Sequence, residues 1–191
     1  MLRSLRAALA RFCVRRAAAC QRHAPRRALA WLRLGCNLTP AFGEAHVAFV
    51  HLSRAREDRW GAVDAAREAS IRFPDNPDAW MLLGEALLMV FRQSEALGAF
   101  EQALALEERA DAALAAGDLY RRSGQYVDAA ARFARAYAAG GGADALWRNA
   151  QALFQAGDHG AAEEALNLWA TQVPNGHERL PEARAQLRTK A

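Results

Sequence analysis

Small and large apolar residues return along this chain every 33 or 34 positions. Ala62, Ala96, Ala129 and Ala162 mark the period. Four residues after each stands Ala66, Phe100, Phe133 or Leu166, and seven after each stands Ala69, Ala103, Ala136 or Trp169. Offsets of four and seven stay on one face of an α-helix, so each block predicts one amphipathic helix. Another helical pattern precedes each block. Trp80–Leu87 reads W-x-x-L-G-x-x-L, Ala113–Tyr120 reads A-x-x-A-G-x-x-Y, and Leu146–Leu153 is a looser copy with Ala150 in the glycine position. Gly124 and Gly157 stand 33 residues apart ahead of the second blocks, and Pro74 and Pro174 fall where those blocks must end. The small residues predict a crossing where two backbones approach closely, and the large ones predict the filling between helices. On this pattern Trp80, Phe100, Tyr120 and Phe133 are core residues.

The pattern resembles the tetratricopeptide repeat, with its W-x-x-L-G-x-x-Y first helix and A-x-x-x-F-x-x-A second helix. The likeness covers Gly43–Gly176 in four units, 43–76, 77–109, 110–142 and 143–176. The first departs most, since His46, Phe49 and Val50 stand where W, L and G belong. A degenerate unit can be read further back. Ala28, Leu32, Gly35 and Pro40 fit a second helix at Pro25–Asn37, and its partner at Leu2–Ala19 puts Leu2, Leu5, Leu9 and Phe12 on one face. Pro181–Thr189 predicts a short capping helix with Arg184, Gln186 and Arg188 outward, as an end repeat with one unstacked face requires. The organisation is then a basic arm with a degenerate repeat at 1–42, the four units at 43–176, and a cap and tail at 177–191. The resemblance implies an all-α fold, a right-handed superhelix of ten or eleven helices in antiparallel pairs (a tetratricopeptide α-solenoid), with a concave groove.

Charge changes the picture at one end. Residues 1–43 hold nine arginines and no Asp or Glu, whereas the remainder holds 16 basic and 21 acidic residues. Eight of them, Arg3, Arg6, Arg11, Arg15, Arg16, Arg22, Arg26 and Arg27, are the candidate basic arm, and the ninth is Arg33. Its readings are a mitochondrial transit peptide, a surface for anionic lipid, nucleic acid or an acidic partner, or a degenerate repeat helix with a solvated arginine face. Arg33-Leu34-Gly35-Cys36 has the outline of a lipoprotein cleavage site, but Arg26, Arg27 and Arg33 break the short segment before it. No apolar run reaches the roughly 18 to 20 residues of a membrane span. Ala79–Phe91 and Ala112–Tyr120 are interrupted by Glu85 and Asp118, which predicts a soluble or peripheral chain. Abundant Ala, with Lys190 the one lysine among 25 basic residues, suggests a high-GC bacterial gene. The expected location is cytoplasmic, or mitochondrial if the gene is eukaryotic.

Catalytic chemistry finds little support. Cys13, Cys20 and Cys36 form no C-x-x-C pair, and Cys13, Cys20 and His23 have weak metal-ligand spacing. The chain has no Walker, dinucleotide or H-E-x-x-H motif. Gly140-Gly141-Gly142 falls at an inter-repeat loop rather than in a phosphate cradle. His46 and His51 are five apart, off a common helical face, and no serine sits in a nucleophile elbow. The expectation is a protein that is not an enzyme and uses no cofactor or metal.

The resemblance also implies which residues line the groove. They are Val47, His51 and Arg54 in the first unit, and Met81, Glu85, Leu88 and Met89 in the second. The third supplies Asp111, Leu114, Asp118, Arg121 and Arg122, and the fourth Asp144, Trp147, Gln151, Phe154 and Gln155. The Lys and Asn set with which some family members clamp a C-terminal carboxylate is missing from these positions. Met81, Leu88, Met89, Trp147 and Phe154 would instead suit a partner protein or peptide with two or three hydrophobic anchors. Each also has a plainer reading as packing against the next helix. The favoured function is a scaffold, adaptor or secretion-type chaperone. The alternative is a peripheral adaptor whose arginine arm docks on anionic membrane or nucleic acid. Self-association through exposed end faces is a further expectation.

Overall fold

The computed structural model describes residues 2–38, 43–55 and 58–189, and over these it contains helices and short connections with no strand. The side chains of Leu2, Arg3 and Arg54, and the whole of Pro40, lie outside the described residues. The helices are α1 (Leu2–Cys20), α2 (Pro25–Leu38), α3 (Glu44–Ala55), α4 (Arg59–Arg72), α5 (Pro77–Met89), α6 (Gln93–Leu106), α7 (Ala110–Arg122), α8 (Tyr126–Ala136), α9 (Gly142–Gln155), α10 (His159–Gln172) and α11 (Gly176–Thr189). The fold is all-α and built of antiparallel helix pairs: α1 with α2, α3 with α4, α5 with α6, α7 with α8, and α9 with α10. The chain divides into two compact units, Met1–Leu106 and Glu107–Ala191.

Helix ends follow local chemistry. Asp58 accepts a hydrogen bond from the Gly61 N–H at 2.9 Å and starts α4. Asn76 accepts from the Asp78 N–H at 2.9 Å, with Pro77 in the first turn, and starts α5. Asp158 accepts from the Ala161 N–H at 3.0 Å and starts α10. Each satisfies a backbone donor that the first turn leaves open. The turns inside the later pairs need a left-handed residue. Gly124 (φ 78°) and Gly157 (φ 85°) supply it after α7 and α9. The same position after α5 is held by Phe91, at φ 61° and 78% exposed. In all three turns the next N–H bonds back across the turn, from Arg92 to the Leu87 carbonyl at 3.0 Å, from Gln125 to Tyr120 at 2.9 Å and from Asp158 to Leu153 at 3.0 Å.

The pairs lock where glycine meets a ring. A Cβ on Gly84 would lie 2.5 Å from Phe100 Cε1, and one on Gly117 would lie 2.6 Å from Phe133 Cε1. Phe100 and Phe133 are accordingly buried to 1% and 0% exposure. In the last pair Ala150 and Leu166 share one apolar cluster in those positions. Asn149, buried on α9, donates from Nδ2 to the Ala130 carbonyl on α8 at 3.0 Å. This keeps a buried polar group satisfied between pairs.

Several sequence expectations are refined. Trp80 and Tyr120 are half-buried rather than core. The Trp80 indole N–H donates to the Pro74 carbonyl at 2.8 Å, which holds its edge at the rim, and Arg132 lies over the Tyr120 ring. The Leu5–Leu9–Phe12 face of α1 points to solvent, at 58%, 43% and 50% exposure, while Ala10, Cys13 and Ala17 are buried. The reason is steric. A Cβ on Gly35 of α2 would sit 3.3 Å from the Cys13 Cβ, a separation that only the small-residue face of α1 permits. The glycine triplet makes a tight turn between α8 and α9, in which Gly140 (φ 91°) and Gly142 (φ 61°) take the positive φ that favours glycine. The last helix begins at Gly176, before Pro181, because Asn175 at φ 53° ends the preceding loop and its carbonyl accepts from the Glu178 N–H. Arg184 is not simply outward: it grips Glu163 of α10 through Nε at 2.9 Å and Nη2 at 2.9 Å.

Candidate functional site

In the unit Met1–Leu106, helices α3 and α5 touch and carry the residues expected in the groove. Val47 is half-buried and His51 exposed on α3. On α5, Met81 is buried, Leu88 and Met89 are half-buried, and Glu85 is exposed. Apolar surface therefore remains partly open on α5, the helix that also carries the exposed Glu85.

The unit Glu107–Ala191 offers more chemistry. Asp118 of α7 pairs with Arg121 one turn on, at 3.2 Å, and with Arg148 of α9. Arg148 also holds Asp144 at 2.9 Å. Two expected groove charges are thus engaged with a third residue, Arg148, that the sequence did not single out. Its signal was present in the four-residue spacing from Asp144, but the link to Asp118 spans 30 residues. Asp111 is gripped at both oxygens by Arg109, whose hydrogen bonds hold its carboxyl below the usual range. Arg122 is exposed, while Gln151 and Gln155 are half-buried. Leu114 packs on the Phe133 cluster, so its surface is mostly committed to the fold.

Trp147 and Phe154 lie two turns apart on α9, and each opens on a cleft. Trp147 meets Trp169 of α10 with ring centroids 5.6 Å apart and planes at 45°. Arg179 of α11 lies over Trp169, 5.6 Å from the ring centre. These groups, with Asp144, Glu182 and Gln186, line a cleft of about 290 Å³. Phe154 meets His159 with ring centroids 4.5 Å apart and planes at 54° and, with Glu163, Leu166, Arg184 and Leu187, lines another of about 310 Å³. Trp169 and Arg179 were missed as cleft residues. The position of Trp169 holds alanine in the other repeats, and that departure was the available signal.

A different cleft, of about 250 Å³, lies in the first unit among α2, α3 and α4. It is lined by Arg33, Cys36, His46, Asp64, Glu68 and Arg72 among others. Arg72 donates to the Cys36 carbonyl at 2.8 Å. Burial, with Glu68 adding to it, pushes the Cys36 thiol up to about 11. His46, edge-on to Phe73 at 5.1 Å, is held below the usual imidazole value by burial and then by the charge of Arg72. A thiol this far from ionised is a poor nucleophile. Among the described residues no three His, Cys, Asp or Glu side chains gather as a metal site would require.

A tetratricopeptide repeat family model matches the sequence twice, over residues 54–113 and 114–177, more than half of the chain. None of the curated proteins matches it. Among solved structures, it is similar to the MamA protein, at a TM-score of 0.70 and 15% identity over 91% of this chain and 94% of that one. It is also similar to YrrB, described as a tetratricopeptide protein with an unusual peptide-binding site, at 0.65 and 20% identity over 91% and 90%. PilF of Pseudomonas aeruginosa gives 0.64 and 20% identity over 93% and 82%. At these identities the likeness is one of fold.

Proposed function

Because the chain belongs to the tetratricopeptide repeat family, we propose that it is a non-catalytic scaffold or chaperone that holds a partner protein through an extended or helical segment. The reading rests on the cleft at Trp147, where two tryptophan rings, a stacked guanidinium and the carboxylates of Asp144 and Glu182 stand together at a solvent-open surface. Aromatic walls take up an apolar anchor, and a rim of fixed charges selects the residues beside it. Phe154, two turns along the same helix, offers a second anchor point. Leu88 and Met89 present comparable half-buried apolar surface on α5 in the other unit. Among the described residues no cluster of metal-ligating groups stands at this surface, and it is the aromatic cleft itself that favours the binding reading.

The test is direct binding of a partner segment captured from the native cell, measured for the wild type and for Trp147→Ala and Gln151→Arg variants. Truncating a buried aromatic anchor costs about 2 kcal/mol or more, so Trp147→Ala should weaken binding at least tenfold. Gln151→Arg changes the same face of α9 without opening the core, and it guards against loss of fold. Val127→Ser, at a 72% exposed position on α8, is the control. Unchanged affinity in both groove variants, with the helical signal intact, would remove α9 as the binding face.

A further inference from the structure

The first helix presents an unusual surface. Leu5, Leu9 and Phe12 are spaced four and seven apart, so they form one stripe along α1, and each is between 43% and 58% exposed. The adjoining face, Ala10, Cys13 and Ala17, is already used in packing against the chain. Arg6 and Arg15 are exposed on the two flanks of the stripe, and Arg16 continues it, with its guanidinium 5.8 Å over the Trp31 ring of α2. The Phe12 ring meets that same Trp31 edge-on at 6.0 Å. Leu34, one turn beyond Trp31, is 46% exposed. The sequence supplies no Asp or Glu anywhere in residues 1–43. Among the described residues, none of Arg6, Arg11, Arg15, Arg16, Arg22, Arg26, Arg27 or Arg33 is in an ion pair.

We propose that α1 lies flat on an anionic lipid bilayer, with Leu5, Leu9 and Phe12 sunk into the interface and the neighbouring arginines on lipid phosphates. Three comparisons favour this occupant. A nucleic acid would take up the arginines but leave the leucine stripe in water. A second copy of the chain would cover the stripe but bring two sets of like charge together, with no acidic residue on either arm to offset them. A bilayer surface satisfies both features at once, since an interfacial helix buries its apolar side at the boundary while long basic side chains reach the headgroups. Spanning is not the alternative, because no described helix is long and apolar enough to cross. This contact uses a different surface from the α9 groove, so the two readings stand or fall separately.

The test is co-sedimentation of the full chain with equimolar phosphatidylglycerol–phosphatidylcholine vesicles and with vesicles of phosphatidylcholine alone. Binding is expected only to the first. Each basic residue near an anionic surface contributes about fivefold to partitioning, so Arg6→Gln with Arg15→Gln should weaken it about 25-fold. Leu5→Ser with Leu9→Ser should weaken binding at least tenfold, and the loss should persist at high salt, where the arginine contribution is screened. All four positions are exposed, and circular dichroism checks that the helices remain. Full binding by the serine pair, or equal binding to phosphatidylcholine, would overturn the proposal. So would binding to an RNA or duplex DNA oligonucleotide without vesicle binding, or leucine-dependent dimers that ignore vesicles.

Discussion

Two glycines in the first unit ask the same chemical question in opposite surroundings. Gly84 on α5 faces the Phe100 ring, with Cε1, Cζ and Cδ1 at 2.5, 2.7 and 2.8 Å from where a Cβ would stand. Gly98 on α6 has nothing within 4 Å of that point. Both are helical, so changing either to alanine removes the same backbone freedom and adds about 0.5–1 kcal/mol. At Gly84 the new methyl must also displace a ring that is 1% exposed, and overpacking of this kind costs about 1–3 kcal/mol. The expected result is that Gly98→Ala raises stability, while Gly84→Ala falls below Gly98→Ala by about 1–3 kcal/mol. In a chain of this length that gap is several degrees in a thermal melt. Urea unfolding followed by circular dichroism gives the same comparison, provided both variants keep one slope. A third variant closes the cycle. Gly84→Ala with Phe100→Leu recreates the pairing that Ala150 and Leu166 make in the last pair. It should be more stable than the sum of its single changes by at least about 0.5 kcal/mol. Equal stabilisation by the two alanines, with no coupling to Phe100, would refute the close crossing as the reason for glycine there.

Two further outcomes follow from single residues. Phe91→Gly should raise stability by about 0.5–1.5 kcal/mol, because it removes the strain of an aromatic residue at φ 61° that has few contacts to lose; a lower melting temperature would show that the exposed ring is held by something else. His46 lies below its ordinary value in the fold, so protons bind the unfolded chain first as the pH falls. Its contribution should be flat above about pH 6.5 and should be lost as the pH drops from there towards the depressed folded value, by at most about 1.4 kcal/mol per pH unit. The difference in melting temperature between the wild type and His46→Gln, followed from pH 8 to 5, reads it, and a difference that does not change with pH would contradict the burial argument.

What could be read from the sequence was the part that repeats. Gly84, Gly117, Phe100 and Phe133 announced both the period and the crossing, because steric fit ties residue size to position. The turns after α7 and α9 were legible from Gly124 and Gly157. The turn after α5 was legible only through the period, since Phe91 is not a turn residue. The α1 face was misleading, for a physical reason. Leu5, Leu9 and Phe12 have the spacing of a packed stripe, but the close approach to Gly35 selects the alanine and cysteine face, and periodicity alone cannot say which face meets the neighbour. The candidate site was legible by position but not in its contacts. Trp147 could be placed on α9, whereas its partners Trp169 and Arg179 come from elsewhere in the chain, and pairings such as Asp118 with Arg148 carry no local signal.

The crossings also show how the last repeat departs from the others. Across the four pairs from α3 to α10, the residue at the small position and the residue four places after the marker alanine of the second helix run Val50 and Ala66, Gly84 and Phe100, Gly117 and Phe133, Ala150 and Leu166. Every side chain in these positions is buried to 1% exposure or less. Bulk on one helix falls as bulk on the other rises, so a similar volume is divided in three ways over the four crossings, valine with alanine, glycine with phenylalanine twice, and alanine with leucine. Three places further along the second helix the compensation stops. Ala69, Ala103 and Ala136 are buried to 1% or less, but Trp169 stands in that register at 9% exposure and packs with Trp147 and, across the cleft, Arg179. An indole cannot occupy the space of a methyl group at a close crossing. Its excess bulk therefore goes into the surface shared by α9, α10 and α11, and the cleft is the form that excess takes. A position whose small size serves packing in the other repeats lines the proposed partner cleft in this one.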